Sequence, residues 1–440
     1  MFSRWGGFVY RRRRVVLLAT LILAAAAAPL ALGTADQLTA GGWLDPNSES
    51  ARVSDRLEAE FGGGRTAFVA LFRSDAPDAD ATSPAFQAAI AATVAPLVDD
   101  PQVSGVTGYA ETGDDRFISI GGDAAYVVIG LDMTEDESVE VVDDIEALLG
   151  PATPAGYSVS MTGFGPIQKD SARLSEEDLR RAELISLPVL SLILVLVFAS
   201  LVAAAMPLLV AGLAIPTSLA IINLVARQTD MSIYVLNIAT MLGLALAVDY
   251  SLFITSRFRE ELARGRTVEQ AVTRAIGTAG KAITFSGAAV AIGLSGLLWF
   301  RATALSSIGL SGAVVVLCSV VFSLTFLPAI LGMIGPRVNA LSVDGLLRAL
   351  RIRRGERVER GSRWARVARV VMRHPIAVLV PILGVLLLAG SPFLRIEQGV
   401  PYANVYPEGM PSRDTWFALE KEFRAGETSP IEILVDTTGP

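Results

Sequence analysis

The sequence predicts a multi-pass α-helical membrane protein with one large α/β domain outside the membrane and the opening of a second copy of the same plan. Three observations lead there. The 440-residue chain is 52% hydrophobic and 18% charged, with a mean hydropathy of +0.50, too apolar for a soluble chain of this length and suited to many spans separated by polar segments. Seven stretches supply the roughly 20 apolar residues that cross a hydrocarbon core of about 30 Å. Between the first two lies a polar insert, Gly33 to Arg180, with 27 of the chain's 44 acidic residues and eight basic ones.

The spans are expected at Val15–Leu32, Ala182–Leu201, Ala205–Val225, Tyr234–Phe258, Ile283–Phe300, Leu305–Ile334 and Ile376–Phe393. Pro188, Pro207, Pro216 and Pro328 fall inside them, as membrane helices tolerate. Arg11 to Arg14 before an alanine-rich run also fit a cleaved leader, but a later copy of the segment argues for retention. Arg4 and Arg11–Arg14 precede the first span, and Arg257, Arg259, Arg264 and Arg266 follow the fourth. Eleven arginines with three acids lie from Arg337 to Arg373. Seven crossings put all three basic segments on one side, the cytoplasmic one by the positive-inside rule. The acidic insert then lies outside.

Within the insert, Thr66–Phe72, Gln102–Tyr109, Ala124–Asp132 and Gly156–Phe164 read as strands rich in β-branched residues. Helical patterns alternate with them at Ser50–Phe61, Ser83–Val98 and Glu135–Leu149, and "TEDE" at Thr134 to Glu137 offers a hydroxyl cap with acids behind it. The expectation is an α/β domain of ferredoxin-like type, its acidity that of a solvated surface.

At a shift of 362 residues, "VYRR" (Val9–Arg12) lies on "VMRH" (Val371–His374), the first span on the seventh, and Leu57–Phe72 on Leu419–Leu434. The second copy has only begun at Pro440. A mirrored second half would continue for roughly 250–300 further residues, including another helix interrupted by a polar pair. The alternative is a homo-oligomer in which two fourth spans face each other.

One histidine, His374, and one cysteine, Cys318, leave no Cys/His metal cluster, no disulfide framework and no Ser-His or Cys-His nucleophile pair. "GTAGKA" (Gly277–Ala282) lacks the spacing and the hydroxyl of a phosphate-binding loop. No enzyme chemistry, cofactor, metal or nucleic-acid partner is expected. What stands out is Asp249, with Tyr250, near the middle of the fourth span. An ionised carboxylate at that depth costs several kcal/mol, and such residues mark ion or proton routes, usually facing a bundle interior or a water path. Tyr250 supplies a hydroxyl that relays or orients. In the fifth span Gly287, Ala291 and Ser295 have the spacing of close helix packing, and Ser286 is placed to share the Asp249 site.

"GLALAVDYSLFITSRFREEL" (Gly243–Leu262), "TFSGAAVAIGLSGLLWF" (Thr284–Phe300) and "LTFLPAILGMIG" (Leu324–Gly335) resemble the MMPL (mycobacterial membrane protein large) transporters of the resistance-nodulation-division superfamily, and the order of spans matches throughout. The resemblance implies an RND-type duplicated architecture, here truncated, with external porter domains. It also implies a proton-driven exporter of lipids or other hydrophobic compounds in the bacterial cytoplasmic membrane. Asp249 and Tyr250 carry over as the proton-coupling pair, with Ser286 as a lesser member. Ala245 and Ala199 depart from the glycine and arginine usual there. The domains would be 1–32 (cytoplasmic N-terminus and first span), 33–181 (porter domain), 182–335 (five spans), 336–375 (basic linker), 376–393 (seventh span) and 394–440 (start of a second porter domain). Protons, membrane lipids and a hydrophobic or lipid substrate are the expected partners, and "WARVARVVMRHP" (Trp364–Pro375) is suited to lie on the membrane surface. The competing readings are a non-transporting, sterol-sensing-like module and an accessory subunit of an export complex. Loss of activity on collapse of the proton gradient separates transport from the first.

Overall fold

The computed structural model describes residues 1–39, 66–76, 78–343, 363–395 and 403–424, with positions 48, 49, 52, 53 and 56. The helix expected at Ser50–Phe61, most of the basic linker, and the second-copy strand after residue 424 lie outside the described residues. Among these, seven helical segments are long and apolar enough to cross a membrane.

Helix α1 (Phe2–Arg11) is followed after Arg12 by α2 (Arg13–Leu32), the first span, which closes at Gly33. The chain then builds β1 (Thr66–Ser74), α3 (Pro84–Val98), β2 (Val103–Thr107), β3 (Ala124–Leu131), α4 (Val142–Ala152) and β4 (Tyr157–Thr162). All pairings are antiparallel, in the order β2-β3-β1-β4, so each of two β-α-β crossovers steps over a strand of the other. Phe68, Ala70 and Phe72 of β1 point into a core with Phe86, Ile90 and Leu97 of α3 and Ile145 and Leu149 of α4. The helix expected over Glu135–Leu149 is two. A single turn, Glu135–Ser138, is closed by the Thr134–Glu137 capping box, and α4 starts afresh at Val142. Val139, Val141 and Val142, stiff at χ1, are buried at the break.

The 35-residue α5 (Phe164–Phe198) belongs to both parts of the molecule. Its first turns pack on the sheet domain, where Lys169 and Arg173 pair with Asp143 of α4, and its last turns form the second span. A tight turn with Ala199 in the left-handed region (φ 47°) leads through the cap Ser200 into α6 (Leu201–Ala226). α7 (Tyr234–Ala263), α8 (Val268–Ala275), a π turn at Ile276–Gly280 and α9 (Lys281–Ser295) follow. The single span expected over Leu305–Ile334 is α10 (Thr303–Leu324) and α11 (Phe326–Ile334), parted at Thr325. Pro328 has no N–H for the carbonyl four residues back, and Trp5 Nε1 of α1 donates to that freed Leu324 oxygen instead, at 3.0 Å.

α1, α8, the Ala199–Ser200 turn and residues 335–343 gather at one end of the bundle. There Arg259 donates to Phe198 O and Asn339 Oδ1, and Ser200 Oγ donates to Val338 O and Ala340 O. At the other end Asn223 Nδ2 donates to Gly33 O, and Thr39 brackets the α6–α7 loop through Met231 and Ile233. α12 (Arg363–Arg373) leads into the seventh apolar helix, α13 (Pro375–Gly390), which buries no residue. The chain then returns to the first domain. α14 (Pro411–Glu422) lays Leu419, with Phe423 just beyond it, on Leu71 and Ala124, the face of the sheet opposite α3 and α4.

Candidate functional site

α7 is apolar on nearly every side, so neighbouring helices decide its facing. Val235, Ala239, Gly243, Ala247, Ile254 and Phe258 are buried, and the helix is packed between α6 and α10. A Cβ on Gly243 would stand 2.9 Å from Ile215 Cγ1 of α6 and 3.2 Å from Val315 Cγ1 of α10, which explains glycine at this contact. The stripe Met241, Ala245, Asp249, Phe253, at four-residue spacing, is left open. Asp249 therefore stands on an exposed flank among the described residues and not, as expected, toward the interior of this bundle. It forms no hydrogen bond or ion pair among them.

Tyr250, one residue on, turns inward and is buried. Its hydroxyl is set against Gly287 of α9, where a Cβ would come within 3.4 Å of the phenol oxygen and 2.5 Å of Val320 Cγ2. Only glycine lets the Tyr250 hydroxyl and α10 approach α9 so closely. The Ser286 hydroxyl interacts with Tyr250 Oη, although the contact falls short of full hydrogen-bond geometry. Ser286 itself is exposed, on the same open flank as Asp249. The three residues expected to act together thus form one group, two on the flank and Tyr250 reaching behind them. Gly287 and Ala291 are the buried small residues of the α9–α10 contact, and Ser295 is half-buried.

A second feature was not anticipated. Ser251 and Thr255 of α7 and Ser319 and Ser323 of α10 are completely buried, and their hydroxyls, like that of Tyr250, have no hydrogen-bond partner. Buried polar atoms are nearly always paired, so five unpaired hydroxyls on two packed helices are a departure that packing does not account for. The sequence held a signal, serine or threonine four residues apart in each of two spans. Toward the α8 end, Glu261 is fully buried and paired with Arg257 (2.8 Å), Arg264 (2.7 Å) and Arg266 (2.5 Å).

The family model described as "MMPL family" matches residues 42–378. The chain is 28% identical to the trehalose monomycolate exporter MmpL3 of Mycolicibacterium smegmatis, over 99% of this chain and 46% of that protein. It is 34% identical to a membrane protein of Streptomyces coelicolor, over 80% and 48% respectively. The mycolic acid-containing lipids exporter MmpL11 of M. smegmatis is 28% identical, over 93% and 42%. The chain spans about half the length of the curated relatives it matches. With the family match covering most of its residues and its seven apolar helices in the corresponding order, this chain is a multi-pass membrane protein of the MMPL family.

Proposed function

We propose that the protein is a proton-driven secondary transporter that exports a lipid or other hydrophobic compound across the bacterial cytoplasmic membrane, with Asp249 carrying the proton and Tyr250 and Ser286 assisting. The observation that carries this reading is a carboxylate without a partner, near the middle of a membrane-spanning helix, beside a buried tyrosine hydroxyl in contact with a serine. The hydroxyls of Ser251, Thr255, Ser319 and Ser323 supply polar atoms between the pair and the arginine-rich end of α7, as a proton route requires. A membrane potential of 100 mV supplies about 2.3 kcal/mol per proton. Relatives named as lipid exporters point to the cargo class.

In this reading the sheet domain, 33–181, is an extracytoplasmic porter domain of ferredoxin-like type. Its alternating crossovers and antiparallel order support that assignment. The five-span unit is 182–335, and the N-terminus is cytoplasmic, supported by the clustering of Arg11–Arg14, Arg257, Arg259, Arg264 and Arg266 near one end of the bundle.

The test is lipid or dye efflux from cells expressing the protein, under an imposed pH gradient, with abundance checked by immunoblot. Asp249→Asn is expected to abolish efflux at unchanged abundance, and Tyr250→Phe to slow it, since only a hydroxyl is lost. Wild-type efflux by the asparagine variant ends the proposal.

A further inference from the structure

Between α1 and the end of the bundle lies a cavity of about 970 Å³. α1 is fastened there closely. A Cβ on Gly6 would stand 3.1 Å from Thr273 Cα and from Ile276 Cβ, so glycine sets the helix against α8 and the π turn, while Trp5 is anchored on Leu324 O. Arg4, Gly7, Phe8 and Arg11, at the i, i+3, i+4, i+7 spacing of one helix face, line the cavity.

Its polar groups converge. Arg11 Nη1 and Thr273 Oγ1 each lie 3.8 Å from where a Gly7 Cβ would stand, so the guanidinium leans back over Gly7 toward Arg4, one turn nearer than its own backbone. Among the described residues neither guanidinium forms an ion pair or side-chain hydrogen bond. Glu269 of α8 lines the same cavity and is likewise unpaired. The site thus offers two free cations and one free anion. Its remaining wall is apolar, with Phe8 from α1 and Leu324 from the spanning helix α10. Trp5 and Phe8 stack at 5.5 Å and stay 41% and 45% exposed, one turn before the first span begins, where aromatic side chains meet the membrane–water boundary.

We propose that this cavity binds the headgroup of a membrane phospholipid that carries both a phosphate and a primary ammonium. The phosphate sits between Arg4 and Arg11, the ammonium faces Glu269, and an acyl chain leaves along Phe8 and Leu324. A free anion would match the arginines but leave Glu269 unbalanced beside it. A purely anionic lipid would meet the same repulsion, whereas an ethanolamine phospholipid presents both charges in the order that the walls provide. The inference does not rest on proton coupling or on the exported cargo.

The test is native mass spectrometry of the purified, delipidated chain in detergent, titrated with phosphatidylethanolamine, phosphatidylglycerol of the same acyl chains, or inorganic phosphate. Phosphatidylethanolamine is expected to bind one per chain. Arg4→Gln and Arg11→Gln should each weaken it about tenfold or more, the loss of one charge-assisted contact. Glu269→Gln should retain binding but move the preference to phosphatidylglycerol, and Gly7→Leu, placing a side chain between Arg11 and Thr273, should remove it. Equal lipid retention by the wild type and both arginine variants overturns the proposal. So does displacement of the lipid by an equal concentration of inorganic phosphate, which marks a simple anion site. Should Gly7→Leu fail to fold, the arginine variants alone decide.

Discussion

Glu261 has no exposed surface, and the three arginines around it keep between 28% and 53% of their side-chain area in contact with solvent. The asymmetry sets the energetics. Solvent can screen the cations if the carboxylate is lost, but three like charges remain confined to one turn at the α7–α8 junction. Removing one member of a buried charge cluster costs about 3–5 kcal/mol, against less than about 1 kcal/mol for an exposed pair. Glu261→Gln is therefore expected to lower stability by about 3 kcal/mol, with the α7–α8 connection loosening first. Hydrogen exchange checks this: faster exchange confined to residues 257–275 is expected, and unchanged protection there would show that the arginines do not depend on Glu261. At the same scale Gly287 and Gly243 are sites of close approach between helices, legible from the small-residue spacing only as packing positions. That the Gly287 contact also seats the Tyr250 hydroxyl required the neighbouring helices.

At the scale of elements, the break between α10 and α11 connects a local rule to a tertiary contact. Pro328 leaves the Leu324 carbonyl without its helical partner, and α1 supplies one from a residue 319 positions away in sequence. Trp5→Phe should cost about 1 kcal/mol, the net value of one hydrogen bond, and should loosen α1 from the bundle. In a Pro328→Ala background the backbone N–H can serve the same carbonyl. The penalty of Trp5→Phe should then shrink, a coupling that a double-mutant cycle on thermal unfolding measures directly. Additive penalties would mean that the indole holds α1 by packing alone. The proline in the last of the five clustered spans was visible in the sequence, as was its tolerance in a membrane helix. The donor that compensates it was not, because an N-terminal tryptophan carries no mark of where its N–H points.

At the scale of the whole molecule, the sheet domain is completed from beyond the seventh apolar helix. Leu419 and Phe423 pack with Leu71, Ala124 and Tyr126, Trp416 and Met410 pack with Ile167, and Arg73 Nη2 pairs with Glu422 Oε2 at 2.7 Å. The apolar contact dominates. Arg73 and Glu422 are each more than a third exposed, so their pair contributes less than about 1 kcal/mol, whereas truncating a buried leucine costs about 2–5 kcal/mol. Leu419→Asp should release α14, seen as new protease cleavage within 411–424 while β1 to β4 stay protected. Arg73→Gln should leave the cleavage pattern unchanged. Release by the arginine substitution and not by the leucine one would reverse that ranking.

The sequence by itself determined how many spans to expect and roughly where they lie, the strand positions within the polar insert, and the depth of Asp249 in its helix. Each follows from a property carried along the chain: run length against bilayer thickness, a period of two, and distance from flanking charges. It could not orient α7, because a helix apolar all round has no periodic signal to say which side meets its neighbours. Tertiary structure alone left Asp249 and Ser286 on one open flank, turned Tyr250 inward, and set unpaired hydroxyls within the α7 and α10 core. β1 shows the same limit. Its continuous apolar run, "AFVALF" (Ala67–Phe72), requires cover on both faces, and alternation assigns Phe68, Ala70 and Phe72 to one and Val69 and Leu71 to the other. Which element covers the second face is decided by packing with residues about 350 positions further along the chain, a contact for which burial is the driving force and local sequence has no address.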